Sequence, residues 1–280
     1  MAQENIPLQD TPEIYPQNSR FAIRWDRGKR EFPIAAPGTT VPLLTLDYRS
    51  GRYVYAALRG QVRIEQALQD TPRGSGVLTK DRLARDLSSS GLAFSEDEIN
   101  SLWQQMRAQG RGVGDSDPTV TRHHLYHGTE PFVHTEHSRT KGADALPRAA
   151  NREEDCHVAA DAFIKFAGLD PVHTGIDLVE SPSYASLTEE IERHALPQLV
   201  EVAMKDPKVK RGKLVETHSC IVLGRTRDEF ICFEKAGTAL PWRLTTLRET
   251  YSMYERDFKQ ANQGRPHVFW TVNELLPKIP

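Results

Sequence analysis

Apolar residues in the first half of the chain recur at intervals of three and four. After the apolar run of residues 53–58, the spacing continues in one stripe: Val62, Ile64, Ala67 and Leu68. This periodicity is typical of an amphipathic helix that buries one face. The segment is therefore predicted to be helical.

Ser95 marks the start of another helix. With Asp97 and Glu98 close behind, it can cap the first free amide groups of a helix. The residues that follow form an apolar stripe: Ile99, Leu102, Trp103 and Met106. Residues 51–128 are predicted to form a helical domain.

A strand pattern appears in the second half of the chain. Residues 213–223 and 229–235 are rich in β-branched, aromatic and other apolar residues, and residues 224–228 between them carry turn signals. Two such runs joined by a short turn predict an antiparallel hairpin.

The register of this hairpin decides which side chains meet. If Leu223 pairs with Glu229, then His218 falls directly opposite Glu234. Opposed side chains have Cβ atoms roughly 4.5 to 5.5 Å apart, so a carboxylate can hold an imidazole nitrogen. The hairpin would then present an oriented general base, whereas a slip of one residue would turn Glu234 to the other face.

A further helix is predicted around Cys156. The segment Asn151–Glu154 fits a capping box, so the helix starts near Arg152, and Gly168 offers its end. Cys156 lies in the first turns, where free N–H groups and the helix dipole favour a thiolate. The alternative is that Cys156 is a small buried apolar residue, which is the commonest role of a cysteine outside disulfides.

Three more elements are predicted after this helix. Residues 186–189 form another capping box. The helix that it opens is expected to continue beyond Pro197 along one stripe: Ile191, Leu196, Leu199, Val200 and Ala203. The segment from Trp242 leads into a helix that ends near Gln260, and residues 267–272 form a final strand.

These patterns divide the chain into four parts. They are an extended N-terminal arm (1–50), the helical domain (51–128), a linker (129–149) and a domain of helices and antiparallel strands (150–280). The expected fold class is α+β, with a sheet packed on the helix that carries Cys156.

Composition and charge exclude several functions. Hydrophobic residues make up 38% of the 280 residues and charged residues 26%, which is typical of globular proteins. Lys and Arg number 36 against 38 Asp and Glu, so no overall basic field would attract nucleic acid or an anionic membrane. We expect neither of these partners.

The expected location is the cytoplasm. Residues 1–7 carry neither a basic nor an apolar export signal, and no apolar run reaches the roughly 18 residues of a membrane span. Three cysteines, Cys156, Cys220 and Cys232, are too few for a disulfide scaffold and favour a reducing compartment. Release by a specialised secretion route stays open as an alternative.

Residues 55–126 resemble a degenerate EF-hand pair. The repeated segments are Gly76–Thr79 and Pro118–Thr121, each with a leucine shortly after it. An EF-hand loop ends in a bidentate Glu, but Arg82 takes that place in the first copy and His124 in the second. We expect no tight calcium site and a role in packing or in docking a protein partner.

Five histidines cluster before and within the linker: His123, His124, His127, His134 and His137. Zinc sites combine such histidines with Cys or carboxylate ligands at recognised spacings, which are missing here. We expect no metal in this segment and no cofactor elsewhere.

The order of Cys156, His218 and Glu234 is that of the catalytic groups in papain-like and NlpC-like cysteine hydrolases. Residues 150–275 resemble this superfamily through Asp155-Cys156 before a small apolar helix. His218 before a Ser-Cys-Ile-Val-Leu-Gly strand strengthens the likeness. The resemblance implies a papain-like fold in which Cys156 is the nucleophile, His218 the base and Glu234 the orienting group.

Some features leave alternatives open. His157 follows the cysteine where these enzymes usually have a small residue, and their third residue is often His, Asn or Gln instead of Glu. Cys220 and Cys232 oppose each other in the predicted register. They could form a disulfide, complete a metal face with His218 and Glu234, or pack against the nucleophile helix.

The sequence thus predicts a cysteine hydrolase or acyltransferase that acts on an amide or related acyl bond. Its substrate would be a peptide, a peptidoglycan fragment or a protein side chain. The alternative is a non-catalytic interaction protein built on the same fold.

Overall fold

The computed structural model describes residues 13–17, 19–69, 79–108, 156–173, 179–205, 215–235, 241–261, 263–264 and 267–278. The predicted linker, most of both EF-hand-like loops, the histidine cluster and the capping box before Cys156 lie outside these residues. Helices and antiparallel strands both occur in the described part, so the α+β class is confirmed. None of the described helices has the length and apolarity needed to cross a membrane.

A small antiparallel sheet forms within the predicted N-terminal arm. Its strands are β1 (Ala22–Ile23), β2 (Phe32–Ala35) and β3 (Leu44–Leu46), paired in that order. Trp25 stacks on Phe32 with ring centroids 4.5 Å apart, and both side chains are buried. This contact ties the small sheet to the main apolar core.

Three helices follow, and the first and third lie where the apolar periodicity predicted a helix. They are α1 (Tyr48–Gln69), α2 (Lys80–Ser89) and α3 (Glu96–Ala108). Ser95 Oγ accepts from the N–H of Glu98 at 3.2 Å, and Glu98 Oε2 accepts from the N–H of Ser95 at 2.8 Å. This reciprocal capping box confirms the predicted start of α3.

A seven-stranded antiparallel sheet organises the second half of the chain. Its strands are β4 (Leu169–His173), β5 (Val179–Glu180), β6 (Gln198–Lys205), β7 (Val215–Arg225), β8 (Phe230–Lys235), β9 (Trp242–Thr246) and β10 (His267–Pro277). The order is β4-β10-β6-β7-β8-β9, and β5 also pairs with β10. The predicted hairpin and final strand are therefore present.

Strand β6 occupies residues that were predicted to continue a helix, so that prediction was wrong. The strand lies between β10 and β7, with Leu199 buried on one face and Val200 on the other. Because both faces of an interior strand are covered, its apolar residues run almost continuously and their spacing does not distinguish it from a helix. The preceding helix, α5 (Tyr184–Glu192), is capped by Ser183 and starts before the predicted box.

The hairpin of β7 and β8 forms in a register shifted from the prediction. Val222, instead of Cys220, pairs with Cys232, and a bulge follows before Gly224 pairs with Ile231. The turn is set by Thr226, whose Oγ1 accepts from the N–H of Glu229 at 3.0 Å. The turn therefore spans residues 226–229, between the paired residues Arg225 and Phe230, instead of the predicted residues 224–228.

Helices cover both faces of the sheet. On one face, Phe163 of α4 (Cys156–Ala167) packs with Phe233 of β8 at a ring distance of 6.4 Å. Tyr53 of α1 contacts both rings, so the N-terminal helices and the sheet share one core. Gly168, with φ 66°, ends α4 at the predicted position.

The opposite face is covered by α5 and by the helical segment of residues 247–261. That segment comprises α6 (Leu247–Ser252), a π-helical stretch (Met253–Phe258) and α7 (Lys259–Ala261). Leu247 and Tyr254 pack against the apolar residues of this face. The sheet is thus enclosed, which places its polar residues at low solvent exposure.

Candidate active site

The structure brings Cys156, His218 and Glu234 together. Cys156 lies in the first described turn of α4, while His218 and Glu234 lie on the adjacent strands β7 and β8. His218 Nε2 is 2.8 Å from Glu234 Oε2, and the same imidazole interacts with the Cys156 thiol. The three side chains form a series of thiol, imidazole and carboxylate.

The corrected register still allows this contact. Continuing the pairing of Val222 with Cys232 places Cys220, and not His218, opposite Glu234. His218 is then the diagonal neighbour on the same face, because a shift of two residues preserves the face on which a side chain lies.

The three residues are buried. The exposed fractions are 2% for Cys156, 0% for His218 and 2% for Glu234. Charged pairs in such surroundings interact more strongly than in water, but each charge must be compensated locally. The neighbours of Glu234 supply that compensation.

Glu234 is held by two further groups. Arg243 Nε donates to Glu234 Oε1 at 2.8 Å, and Thr250 Oγ1 donates to Glu234 Oε2 at 3.0 Å. Burial alone would raise the pKa of this carboxyl, but the positive charge of Arg243 and the hydrogen bond from His218 hold the pKa well below its ordinary value. Glu234 is thus a fixed carboxylate.

The His218 ring is fixed by a second contact, with the ring of Tyr254. The two rings stack at a centroid distance of 5.3 Å and an interplanar angle of 23°. Burial lowers the pKa of His218, but the interactions with Cys156 and Glu234 outweigh it and raise the pKa well above the ordinary value. The ring is therefore held in place and favours the protonated form.

Glu234 contacts only one of the two ring nitrogens of His218, Nε2. His218 Nδ1 is buried, and no described group meets hydrogen-bond geometry with it. The interaction between the His218 imidazole and the Cys156 thiol affects the titration of both groups.

Cys156 is poised as a thiolate. Burial by itself would raise the pKa of the thiol, but the interactions with the imidazoles of His157 and His218 lower the pKa to about 5. A thiolate is the nucleophilic form of cysteine, and it is fully present at neutral pH with this pKa.

His157 is a part of the site that the sequence analysis marked only as a departure from the family pattern. Its Nδ1 lies 2.6 Å from Ser219 Oγ in β7. Because Ser219 follows His218 in the strand, one strand positions both imidazoles that act on Cys156.

Arg243, Thr250 and Tyr254 were missed by the sequence analysis. Arg243 lies directly opposite Glu234 in the pairing of β8 with β9. The alternation of apolar Trp242 and Leu244 around Arg243 is a signal that could have predicted the strand, but it does not identify the partner strand. Thr250 and Tyr254 follow in a helical segment whose position depends on the tertiary fold.

Cys220 and Cys232 lie beside the site as thiols, because none of the three cysteines is in a disulfide. Both belong to the core on the face opposite α4, so the predicted packing against the nucleophile helix was wrong. The face differs because Cys220 and Cys232 alternate with Ile221, Ile231 and Phe233, whose side chains meet α4.

The metal alternative has a geometric basis. One ligand atom each of His218, Cys220 and Glu234 lies within 4.8 Å of the others. Both oxygens of Glu234 are already engaged, and the guanidinium of Arg243 adds positive charge beside them. Burial also raises the pKa of the Cys232 thiol well above its ordinary value, so this neighbour is not a ready thiolate ligand. The arrangement favours proton transfer over cation binding.

Comparison of the chain with family models, with curated proteins and with solved structures finds no match.

Proposed function

We propose that this protein is a cysteine hydrolase or acyltransferase that acts on an amide or related acyl bond. The observation that carries the proposal is the buried series of Cys156, His218 and Glu234, with the imidazole held between thiol and carboxylate. A papain-like or NlpC-like fold is part of the same proposal. An antiparallel sheet packed on the helix that bears the cysteine supports it.

The reaction would proceed in two steps. The Cys156 thiolate attacks the acyl carbon, and the His218 imidazolium gives its proton to the leaving amine as the carbon–nitrogen bond breaks. The neutral imidazole then takes a proton from water, or from an acceptor amine or alcohol, whose oxygen or nitrogen displaces the thiolate. The products are an acid and a free enzyme, or a new acyl compound and a free enzyme.

Glu234 would act through His218 in both steps. Its carboxylate is fixed by Arg243 and Thr250, so the ring keeps Nε2 toward the carboxylate while the imidazole also interacts with the thiol. The carboxylate also stabilises the imidazolium that exists between the steps. The substrate classes that fit this chemistry are peptides, peptidoglycan fragments and protein side chains.

Selective alkylation tests the proposal before a substrate is known. Iodoacetamide should label Cys156 faster than Cys220 and Cys232 at neutral pH, as measured by peptide mass mapping of the full chain. The Cys232→Ala variant should keep the fast site, and the Cys156→Ala variant should lose it. Equal, slow labelling of all three thiols would instead favour the non-catalytic interaction protein.

Activity gives the second test. The wild-type chain and the Cys156→Ala variant are incubated with a panel of peptides, peptidoglycan fragments and acyl-peptide esters, and products are detected by mass spectrometry. We expect products only with the wild-type chain, along with a mass adduct of the acyl group on Cys156. Turnover that persists in Cys156→Ala would refute the assignment of the nucleophile.

A further inference from the structure

An open pocket between the first two helices is lined mainly by arginine. Its volume is about 570 Å³, and its lining consists of Arg63, Arg82, Arg85, Asp86 and Ser89. Arg63 comes from α1 and the other lining residues from α2, so the pocket lies in the helical part of the chain and shares no lining residue with the Cys156 site.

The floor of this arginine pocket is a fixed pair of guanidinium groups on one carboxylate. Arg59 donates through Nε to Asp86 Oδ2 at 2.8 Å, and Arg63 donates through Nε to the same oxygen at 2.9 Å. Each arginine also reaches Asp86 Oδ1, at 3.0 Å and 2.6 Å respectively. Asp86 therefore orients both guanidinium groups before any ligand binds.

The rim of the arginine pocket, which is formed by Arg82 and Arg85, carries positive charge that the described acidic residues do not neutralise. Arg82 and Arg85 are exposed, and neither has a carboxylate within ion-pair distance among the residues that the structure describes. Arg85 Nε donates only to the backbone oxygen of Asp81, at 3.3 Å. One carboxylate thus faces four guanidinium groups across floor and rim.

The chemistry of the lining selects a class of ligand. Guanidinium groups bind phosphate oxygens through paired hydrogen bonds, and several arginines around one cavity suit a ligand with several negative charges. The volume is in the range of small-molecule sites, about 300 to 1,000 Å³. No aromatic side chain is among the described lining residues, so these residues offer no platform for a nucleobase.

We propose that the arginine pocket binds the polyphosphate group of a small ligand. Arg82 and Arg85 close on the phosphate oxygens, while Arg63 contributes from the fixed floor. This binding site is independent of the proposed hydrolase activity, because its described lining includes no residue of the Cys156 site.

Calorimetric titration of the full chain with inorganic tripolyphosphate tests the proposal. The test variant is Arg82→Ala/Arg85→Ala, which removes two exposed side chains and leaves the floor intact. The matched control is Arg193→Ala/Arg227→Ala, which removes the same charge from exposed positions elsewhere. Circular dichroism confirms that both variants keep the wild-type fold.

We expect saturable binding by the wild-type chain, a loss of at least about tenfold in affinity in the test variant and a change of less than about twofold in the control. Citrate, a tricarboxylate, should bind more weakly than tripolyphosphate. Equal loss in both variants would show diffuse attraction without a site and would overturn the proposal. Absence of binding at millimolar tripolyphosphate, or citrate binding as tight as phosphate, would overturn it as well.

Discussion

The rate at which iodoacetamide alkylates Cys156 should be almost independent of pH between 6 and 8. The perturbation is the pH itself, and the expectation follows from the two imidazoles that lower the pKa of this thiol to about 5. A lowered pKa means that the thiolate is present above pH 5 and is lost as the pH falls through that value.

The expected change in alkylation rate between pH 6 and pH 8 follows from the fraction of the thiol that is ionised at each pH. With a pKa of about 5, Cys156 is about 90% thiolate at pH 6 and almost completely so at pH 8. A thiol with an ordinary pKa of about 8.5 rises from about 0.3% to about 24% over the same range. Its rate would therefore increase about 75-fold, whereas that of Cys156 would change by only about a tenth.

Against an exposed thiol of ordinary pKa, the absolute rate of Cys156 at pH 7 is a poor discriminator. Lowering the pKa by about 3.5 makes a thiolate roughly 25 to 55 times less nucleophilic, because the Brønsted slope is about 0.4 to 0.5. This loss nearly cancels the gain of about thirtyfold in thiolate fraction at pH 7. The shape of the pH profile carries the information instead.

The assay follows labelling of each cysteine by peptide mass mapping, with glutathione as the reference thiol in the same buffers. In His218→Ala one of the two imidazoles that lower the pKa of Cys156 is lost, so the midpoint should move to higher pH. His194→Ala is the matched control. This histidine pairs with Glu190, 3.3 Å away, outside the site, and its removal should leave the profile unchanged.

Two results would refute this reasoning. The first is a rate at Cys156 that rises about tenfold per pH unit between 6 and 8, in parallel with glutathione. The second is labelling of Cys220 and Cys232 at the same rate as Cys156, which would show that the reagent enters by opening of the whole fold.

Three substitutions should change the free energy of unfolding, measured by urea titration. Glu234→Gln leaves the Arg243 guanidinium without its counter-charge and should destabilise the fold by about 3 kcal/mol, the lower end for a broken buried pair because Arg243 is 24% exposed. Thr250→Val removes a hydrogen bond of 3.0 Å to the same carboxylate and should cost about 1.5 kcal/mol. Gly51→Ala places a Cβ 2.2 Å from the buried ring of Phe32, and the resulting strain of about 1 to 3 kcal/mol should exceed the gain of about 1 kcal/mol in helix propensity.

Controls for these substitutions lie in the same chain. Gly28→Ala adds a Cβ that meets only Asp26, at 3.5 Å, so it should leave the stability almost unchanged. Glu189→Gln is the control for Glu234→Gln, because it makes the same substitution at an exposed position of α5 and should leave the stability almost unchanged. If the site variants were no less stable than these controls, the packing and hydrogen bonds assigned to Gly51, Glu234 and Thr250 would be wrong.

Local signals in the sequence were sufficient where neighbouring residues determine the structure. The box of Ser95 and Glu98 starts a helix through two hydrogen bonds within four residues. The positive φ of Gly168 ends another helix at the expected place. The hairpin of β7 and β8 also follows from two apolar runs and the turn between them.

Long-range pairing was beyond these local signals. Strand β6 is interior only because β10 returns to cover it, and nothing near residue 200 indicates that return. The role of Arg243 likewise depends on β9 pairing with β8. The register of the hairpin depends on the turn at Thr226 and on the bulge after Val222, which alternation alone does not reveal.

The candidate site was predicted from residue types and order more than from geometry. Cys156 and His218 are on different elements, and only the resemblance to papain-like enzymes suggested that they meet. The contact between His218 and Glu234 was expected across one strand pair and occurs diagonally. The contact forms despite the wrong register because the shift is of two residues, and an even shift leaves His218 on the same face of the sheet as Glu234.

Strand β10 imposes an order on the folding of this protein. It joins β4 to β6, and its pairs with β4 connect residues about 100 positions apart in the chain. Until β10 is synthesised, β6 lacks one neighbour and β4 and β5 lack the strand with which they pair. Closing such distant pairs is slow, so a nascent chain would expose an open sheet edge during translation, when association with chaperones or other chains competes with folding.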